Sequence, residues 1–344
     1  MIKVTLKGGD IREYENGTNL LDMAKSISEG LARNCLAADV NGETKEMNFV
    51  PESDCEVSFL TFNDENGRKA YRHTASHVLA QAIKRLYPNT KLAIGPAIED
   101  GYYYDFEFET PITTGDFEKI EAEMKKIIKE NIPLEKFELP RDEAIKFMKK
   151  KDEPYKVELI ENLPDDAVIS FYKQGDFVDL CAGPHLMSTG KLKAVKLQSL
   201  AGAYWRGNEK NKMLSRIYGT AFPKQSELNA YLEKLEEAKK RDHNKIGREL
   251  GYFRTVDYIG QGLPIMLPKG ARVLQLLQRF VEDEEQKRGY LLTKTPFLAK
   301  RDLYKISGHW DHYRDGMFVL GDPDAEGEVF ALRPMTLSLI HISE

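Results

Sequence analysis

The segment RHTASHVLAQAIKRLY, residues 72–87, sets His73 and His77 four residues apart, which on a helix stacks both imidazoles on one face. Ala75, Val78, Leu79, Ala82, Ile83 and Leu86 fall at helical spacing on the opposite side. The histidines therefore share a polar face with Gln81 and Lys84 instead of filling a core. A second segment, DLCAGPH at 179–185, sets Cys181 and His185 four apart in a stretch whose Gly and Pro exclude a long regular helix. One helical His pair arises by chance on many surfaces. Two pairs about a hundred residues apart can converge on one site, and their four side chains are a ligand set suited to zinc. The same imidazoles in a polar cleft would equally serve as general acids and bases near neutral pH. Lys156 can polarise a carbonyl and Asp179 can fix a histidine tautomer, although each alone reads as a solvated surface charge.

The elements that must position these residues follow from the same chain. Ile2, Val4 and Leu6 alternate, Lys7 to Asp10 turns, and Ile11 to Tyr14 returns as a second strand. Thr18 is a candidate N-cap for a helix through Leu20, Leu21 and Ala24. Leu36 to Val40 forms a hairpin across Asn41-Gly42, and Val57, Phe59 and Thr61 make a last strand. This order suits a β-grasp unit over 1–62, which by itself is an interaction module without chemistry. A polar linker follows at 63–67, and an α+β domain over 63–224. Its helices are expected at the histidine segment, at Asp116 to Asn131 and at Arg141 to Lys151, with short strands and turns over 155–185. Ser226 is a candidate N-cap for a linker helix over 225–242. In the region 243–336, Val273 to Arg288 reads as a helix, Tyr290 to Pro296 as a strand, and a last strand ends at Leu332. The fold class is α+β multidomain.

At 344 residues, with 41% hydrophobic and 31% charged residues, the chain has the composition of ordinary globular domains. No run approaches the ~18 apolar residues of a membrane span, and MIKVTLKGGD lacks the apolar core of a signal peptide. Cys35, Cys55 and Cys181 are too few and too scattered for a disulfide framework, which favours a cytoplasmic home. The formal net charge of −5 weighs against a general nucleic-acid coat but conceals a local patch. Between Leu186 and Thr220 the seven basic residues Lys191, Lys193, Lys196, Arg206, Lys210, Lys212 and Arg216 face one acid, Glu209. With Tyr204 and Trp205 that stretch could hold a phosphate backbone and stack a base, or be a strand edge that lysines keep from aggregating. His309 and His312 could sit in a second pocket.

With those residues in hand, the chain resembles the amino-terminal part of the bacterial threonyl-tRNA synthetases from Met1 to about Thr336. The carrying segments are HTASH, GPAIEDGYYYDF, EPYKV, DLCAGPH, AGAYWRGNEKNKMLSRIYGTAF, RDHNKIGRELGYF and KGARVLQLLQRFVEDEEQKRGYLLTKTPFLAKRDLYKISGHWDHY. The resemblance implies a TGS domain of β-grasp fold at 1–62, an editing domain at 63–224, and at 243–336 an incomplete class II catalytic domain with an antiparallel sheet. It implies threonine–tRNA ligation with hydrolytic editing of seryl-tRNA, in a cytoplasmic homodimer that uses ATP, magnesium and zinc, with no membrane association. The partners are the tRNA for threonine and the aminoacyl groups threonine and serine. His73, His77, Lys156, Asp179, Cys181 and His185 become the editing site, and Tyr104, Tyr204, Arg206 and Lys212 the holders of the tRNA end. His309 matches a residue of aminoacyl transfer.

The resemblance stops inside the catalytic region. ALRPMT should lead into a Cys-Pro pair at position 337, a Cys that is a zinc ligand of the synthetic site. Instead LSLIHISE follows from Leu337 to Glu344, fits no part of the family, and resembles a translated sequencing adapter. A fragment ending there is expected to edit, not to aminoacylate, to leave His309 stranded, and to be aggregation-prone beyond about residue 243. Alanyl-tRNA synthetases carry a similar His/Cys set that binds zinc, but in threonyl enzymes the resemblance points to editing without a metal. Readings from other classes are a free-standing tRNA-editing deacylase, a zinc-dependent hydrolase unrelated to tRNA, and an RNA-binding module. The incomplete catalytic region speaks against the first, the basic aromatic stretch against the second and the His/Cys pairs against the third.

Overall fold

The structure, a computed structural model, describes residues 1–335, so the expectations for 337–344 and the zinc-ligand position 337 lie outside the described residues. The chain divides into compact units over 1–239 and from 240 onward. In the first, β1 (Ile2–Leu6), β2 (Ile11–Tyr14), α1 (Leu20–Ile27), α2 (Glu29–Asn34), β3 (Ala37–Val40), β4 (Glu43–Lys45) and β5 (Cys55–Leu60) build the opening domain. Its sheet runs β2-β1-β5-β3-β4, with β1 and β5 parallel, which is the expected β-grasp arrangement. Asn19, not Thr18, caps α1, its side chain accepting the Asp22 N–H. The inward residues Ile2, Val4, Leu20, Met23 and Val57 make the small core, as strand alternation and helical spacing require.

The long helix α3 (Glu65–Leu86) follows. Then come β6 (Lys91–Leu92), β7 (Ala97–Ile98), β8 (Gly101–Glu107), α4 (Phe117–Glu130), β9 (Leu134–Glu138), α5 (Arg141–Lys150), α6 (Pro154–Glu161), β10 (Ser170–Gln174), β11 (Phe177–Leu180), β12 (Ala194–Tyr204), β13 (Met213–Phe222) and α7 (Gln225–Lys240). One sheet runs β12-β13-β8-β6 with β7 on β8, and a second runs β11-β10-β9. The stretch expected to hold only strands and turns contains α6, opened by Pro154 in its first turn, where a missing N–H costs nothing. Ser226 lies inside α7, which begins one residue earlier.

The polar side of α3 is not solvated. Tyr71, Thr74, Ser76, His77 and Gln81 are buried together with Val78, Leu79 and Ile83, because α3 packs on α4, β8, β13 and β3 at once. The expectation that its histidines lie outside any core is corrected accordingly: a short apolar stripe cannot report that the other face is also covered. Leu36 of the opening domain packs in the same core as Tyr71, Leu79 and Ile120, so the first two domains share buried surface.

The second unit holds α8 (His243–Glu249), β14 (Phe253–Arg254), β15 (Ile265–Met266), α9 (Pro268–Lys287), β16 (Leu298–Lys300), α10 (Arg301–Ile306), α11 (His309–Tyr313), β17 (Val319–Leu320) and β18 (Phe330–Leu332). The expected strand at 290–296 is absent, and Tyr290, Leu291 and Leu292 are exposed. Apolar content there does not by itself make a strand, which needs a pairing partner. A core of Tyr304, Trp310, Val329 and Ala331 anchors the short sheet β16-β18-β17.

Gly67 shows how tightly α3 enters the fold, since a Cβ there would lie 2.0 Å from the Thr61 carbonyl oxygen. Gly67→Ala is expected to destabilise the chain by about 1–3 kcal/mol, measured by urea unfolding. Gly30→Ala, in α2 with its nearest neighbour at 3.8 Å, should be neutral or slightly stabilising. Equal midpoints for the two variants would contradict the close approach.

Candidate functional site

Helix α3 delivers His73 and His77, and the segment after β11 delivers Cys181 and His185. That segment is pinned by Cys181 N–H donating to the Ser170 carbonyl at 3.0 Å and Ser170 Oγ donating to the Cys181 carbonyl at 2.7 Å. It turns through Gly183, at φ +78, into a cis bond to Pro184. Cys181 Sγ lies 3.4 Å from His73 Nε2, 3.2 Å from His185 Nε2, and accepts the Gly183 N–H at 3.2 Å. His185 Nδ1 meets Thr74 Oγ1 at 3.2 Å, and Thr74 Oγ1 also accepts the Leu186 N–H at 2.9 Å. The His185 ring centre stands 4.2 Å from that of His73 and from that of His77. The two pairs expected to converge do converge.

Behind them sits a buried ion pair. Lys156 Nζ is 2.6 Å from Asp179 Oδ1, and Tyr104 closes the triangle, its hydroxyl donating to Asp179 Oδ2 at 2.5 Å and accepting from Lys156 at 3.1 Å. His77 Nε2 approaches Asp179 Oδ2 at 3.7 Å. Tyr104, Lys156 and Asp179 are at most 3% exposed. Burial pushes the Asp179 carboxyl up. The Lys156 charge and the hydrogen bonds from Lys156 and Tyr104 outweigh it, holding the group below the usual carboxylate range. The Tyr104 hydroxyl is held well above its ordinary value by burial and then by the neighbouring Asp179 charge.

The histidines are kept neutral. Burial drives His73 down to about 4 and His77 to about 3, against the partial pull of Asp179. His185 lies well below its ordinary value through burial and the two other rings. The Cys181 thiol is pushed up to about 12, chiefly by burial, which makes it a poor nucleophile by itself. His73 and Cys181 remain partly exposed while His77 and His185 are buried, so His73 and Cys181 form the outer side of the cluster. The donor atoms of the four residues lie within 4.8 Å of one another. Neutral imidazoles and a thiol fit zinc by donor type, although that spread exceeds the ~3.3–3.8 Å between ligands of a closed tetrahedral shell with bonds of ~2.0–2.3 Å.

Tyr104 does not match its expected role on nucleic acid: it is fully buried and belongs to the ion-pair triangle. Tyr204 is exposed, but Trp205 is buried with its indole N–H donating to Glu158 at 3.0 Å. The basic excess of the Leu186–Thr220 stretch is largely offset in space. Arg206 pairs with Glu158, Arg216 with Asp105, Lys196 with Glu121 and Lys212 with Glu107, all acids from distant parts of the sequence. His309 lies in the second unit, buried, with Nδ1 2.9 Å from Ser307 Oγ. The site residues that sequence reasoning missed are Thr74, adjacent to His73, and Tyr172, whose ring stands edge-on to His185 at 4.4 Å. Tyr172 is the cross-strand partner of Asp179, a signal readable only once the strands are paired.

The TGS domain family matches residues 2–61, and the "Threonyl and Alanyl tRNA synthetase second additional domain" matches residues 169–218, which include Asp179, Cys181 and His185. The chain is 63% identical over 336 residues to a threonine--tRNA ligase of Clostridium perfringens, covering 98% of this chain and 52% of that protein. It is 58% identical over 335 residues to that of Acetivibrio thermocellus, covering 97% and 52%. The chain thus spans about half the length of the relatives it matches. A solved RNA binding domain of threonyl-tRNA synthetase from Cryptosporidium parvum Iowa II overlaps 28% of this chain and 24% of its own, at 33% identity and a TM-score of 0.26.

Tyr104→Phe removes one donor from a buried carboxylate and should cost about 1.5–3 kcal/mol, measured by urea unfolding. Tyr103→Phe, whose ring lies under Arg216 outside the cluster, should cost less than 1 kcal/mol on the same scale. Indistinguishable variants would contradict the triangle.

Proposed function

We propose that this chain, carrying a TGS domain and the second additional domain of threonyl and alanyl tRNA synthetases and similar along 98% of its length to threonine--tRNA ligases, hydrolyses the ester of serine mischarged on the tRNA for threonine. The observation that carries this reading is the cluster of neutral histidines over the Lys156–Asp179 pair. The need is physical. A synthetic pocket made for threonine cannot strongly reject serine, because the missing methyl group is worth only ~1–3 kcal/mol. A second pocket can admit the smaller side chain and exclude the larger one by sterics.

The geometry supplies the parts of ester hydrolysis. A neutral imidazole, His73 on the outer side or His185 behind it, accepts a proton from the attacking water. Lys156 has three N–H donors, of which Asp179 and Tyr104 engage two, leaving one for the carbonyl oxygen or the water. Asp179 orients Lys156 and faces His77. Cys181 lines the outer side as a neutral thiol. Zinc, if bound, would sit among His73, His77, Cys181 and His185 and polarise water or the ester carbonyl; the hydrolysis proposed here proceeds without it. Tyr204, Arg206 and Lys212 flank the tRNA end. In the whole ligase the partners would be threonine, ATP with magnesium, a zinc ion in the synthetic site, the cognate tRNA and a second copy, in the cytoplasm. Among the described residues no helix is long and apolar enough to cross a membrane.

Deacylation of seryl-tRNA and threonyl-tRNA by the purified chain tests this reading. Seryl-tRNA should be hydrolysed and threonyl-tRNA spared. His73→Ala with Lys156→Ala should lower the seryl rate by about 10²–10⁴-fold while tRNA still binds, and Cys55→Ala should leave it unchanged. Wild-type hydrolysis by the double variant would place the site elsewhere.

Chelation offers a separate check on the metal. Treatment with a chelator followed by desalting should leave seryl-tRNA hydrolysis intact. Loss of activity that added zinc restores would assign a metal to the four-residue cluster.

A further inference from the structure

The opening β-grasp domain reaches into this site through one side chain. Glu46 follows β4, and its carboxylate accepts a hydrogen bond from the Tyr172 hydroxyl on β10. The same carboxylate lies against the backbone N–H of His185. Tyr172 in turn stands edge-on to the His185 ring at 4.4 Å. Gly183 leaves room for this arrangement: a Cβ there would come within 2.1 Å of the Tyr172 hydroxyl and 3.0 Å of Glu46 Oε1. Glu46 is therefore one end of a packed path running from the opening domain to a histidine of the cluster. Nearby charge comes from Lys136, opposite Tyr172 on β9, and from Lys45.

We infer that Glu46 is a positioning residue for the hydrolytic site, holding the His185 ring through Tyr172, so that the opening domain takes part in hydrolysis without touching the substrate. This rests on the hydrolytic reading above for its kinetic consequence only. The physical reasoning is that an imidazole fully buried among Cys181, Thr74 and Tyr172 has its angle set by what holds its neighbours. Small misplacements of a reacting group, and loss of the residues that support it, cost about 10- to 100-fold in rate. A surface carboxylate with a purely structural role would lower stability without changing the histidine.

The test uses the full chain labelled with ¹⁵N-histidine, the His185 imidazole signals being assigned by their loss in His185→Asn. Glu46→Ala and Tyr172→Phe should each shift the His185 signals and leave those of His309 and His312 in place. Both should lower kcat for seryl-tRNA about 10- to 100-fold with KM unchanged. Glu46→Gln keeps an acceptor oxygen and should retain most of kcat and the native His185 signals. Unshifted His185 signals in a folded Glu46→Ala chain would overturn the inference, as would a Glu46→Gln variant as impaired as Glu46→Ala. If the wild-type chain hydrolyses no seryl-tRNA, the hydrolytic reading falls, while the His185 signals still decide whether Glu46 positions that ring.

Discussion

The buried pair of Lys156 and Asp179 is the constraint on which the site depends. Taking both ions out of water costs on the order of several kcal/mol each, and their attraction offsets this only with good geometry and satisfied neighbours. The 2.6 Å contact and the Tyr104 hydroxyl bridging the two ions go part of the way, Asp179 Oδ1 being held by the Lys156 charge alone, without a hydrogen bond of its own. The pair joins α6 to β11, and Tyr104 adds β8. Gly95 permits the arrangement, because a Cβ there would lie 2.0 Å from the Tyr104 ring. Backbone, ring and ion pair are one packed object.

From that object the chemistry of the cluster follows. A single negative charge is buried beside three histidines, yet it is already engaged by an ammonium and a phenol. It therefore only partly opposes the burial that lowers His73 and His77, and the imidazoles stay neutral. Neutral rings can take a proton from water, and a neutral thiol beside them does not compete as nucleophile. His73 and Cys181 keep partial exposure, while His77 and His185 stay inside. Glu46 extends the same logic outward, tying the β-grasp domain to the ring that lies deepest.

Much of this was legible in the sequence, for identifiable reasons. Strand alternation in Ile2 to Leu6, the Asn41-Gly42 turn and the His73–His77 spacing are local patterns, and local patterns survive into the fold. What was not legible depends on partners far away in the chain. The polar face of α3 is buried because α4, two β strands of the main sheet and the opening domain cover it together. Tyr104 was expected to hold the tRNA end, and only strand pairing shows it to be interior. The basic stretch after Leu186 looked uncompensated until Glu107, Glu158, Asp105 and Glu121 folded against it. The helix at Pro154–Glu161 was missed although a Pro in the first turn is a helix-start signal.

The central claim is that Lys156 and Asp179 act as one unit in hydrolysis, and a double-mutant cycle measures that most directly. Seryl-tRNA hydrolysis would be followed under single-turnover conditions for Lys156→Met, Asp179→Asn and the two combined. The pair as described here predicts a large loss in each single variant and no further loss in the combination beyond the worse of the two. Losses that simply multiply, or a wild-type rate in either single variant, would contradict it.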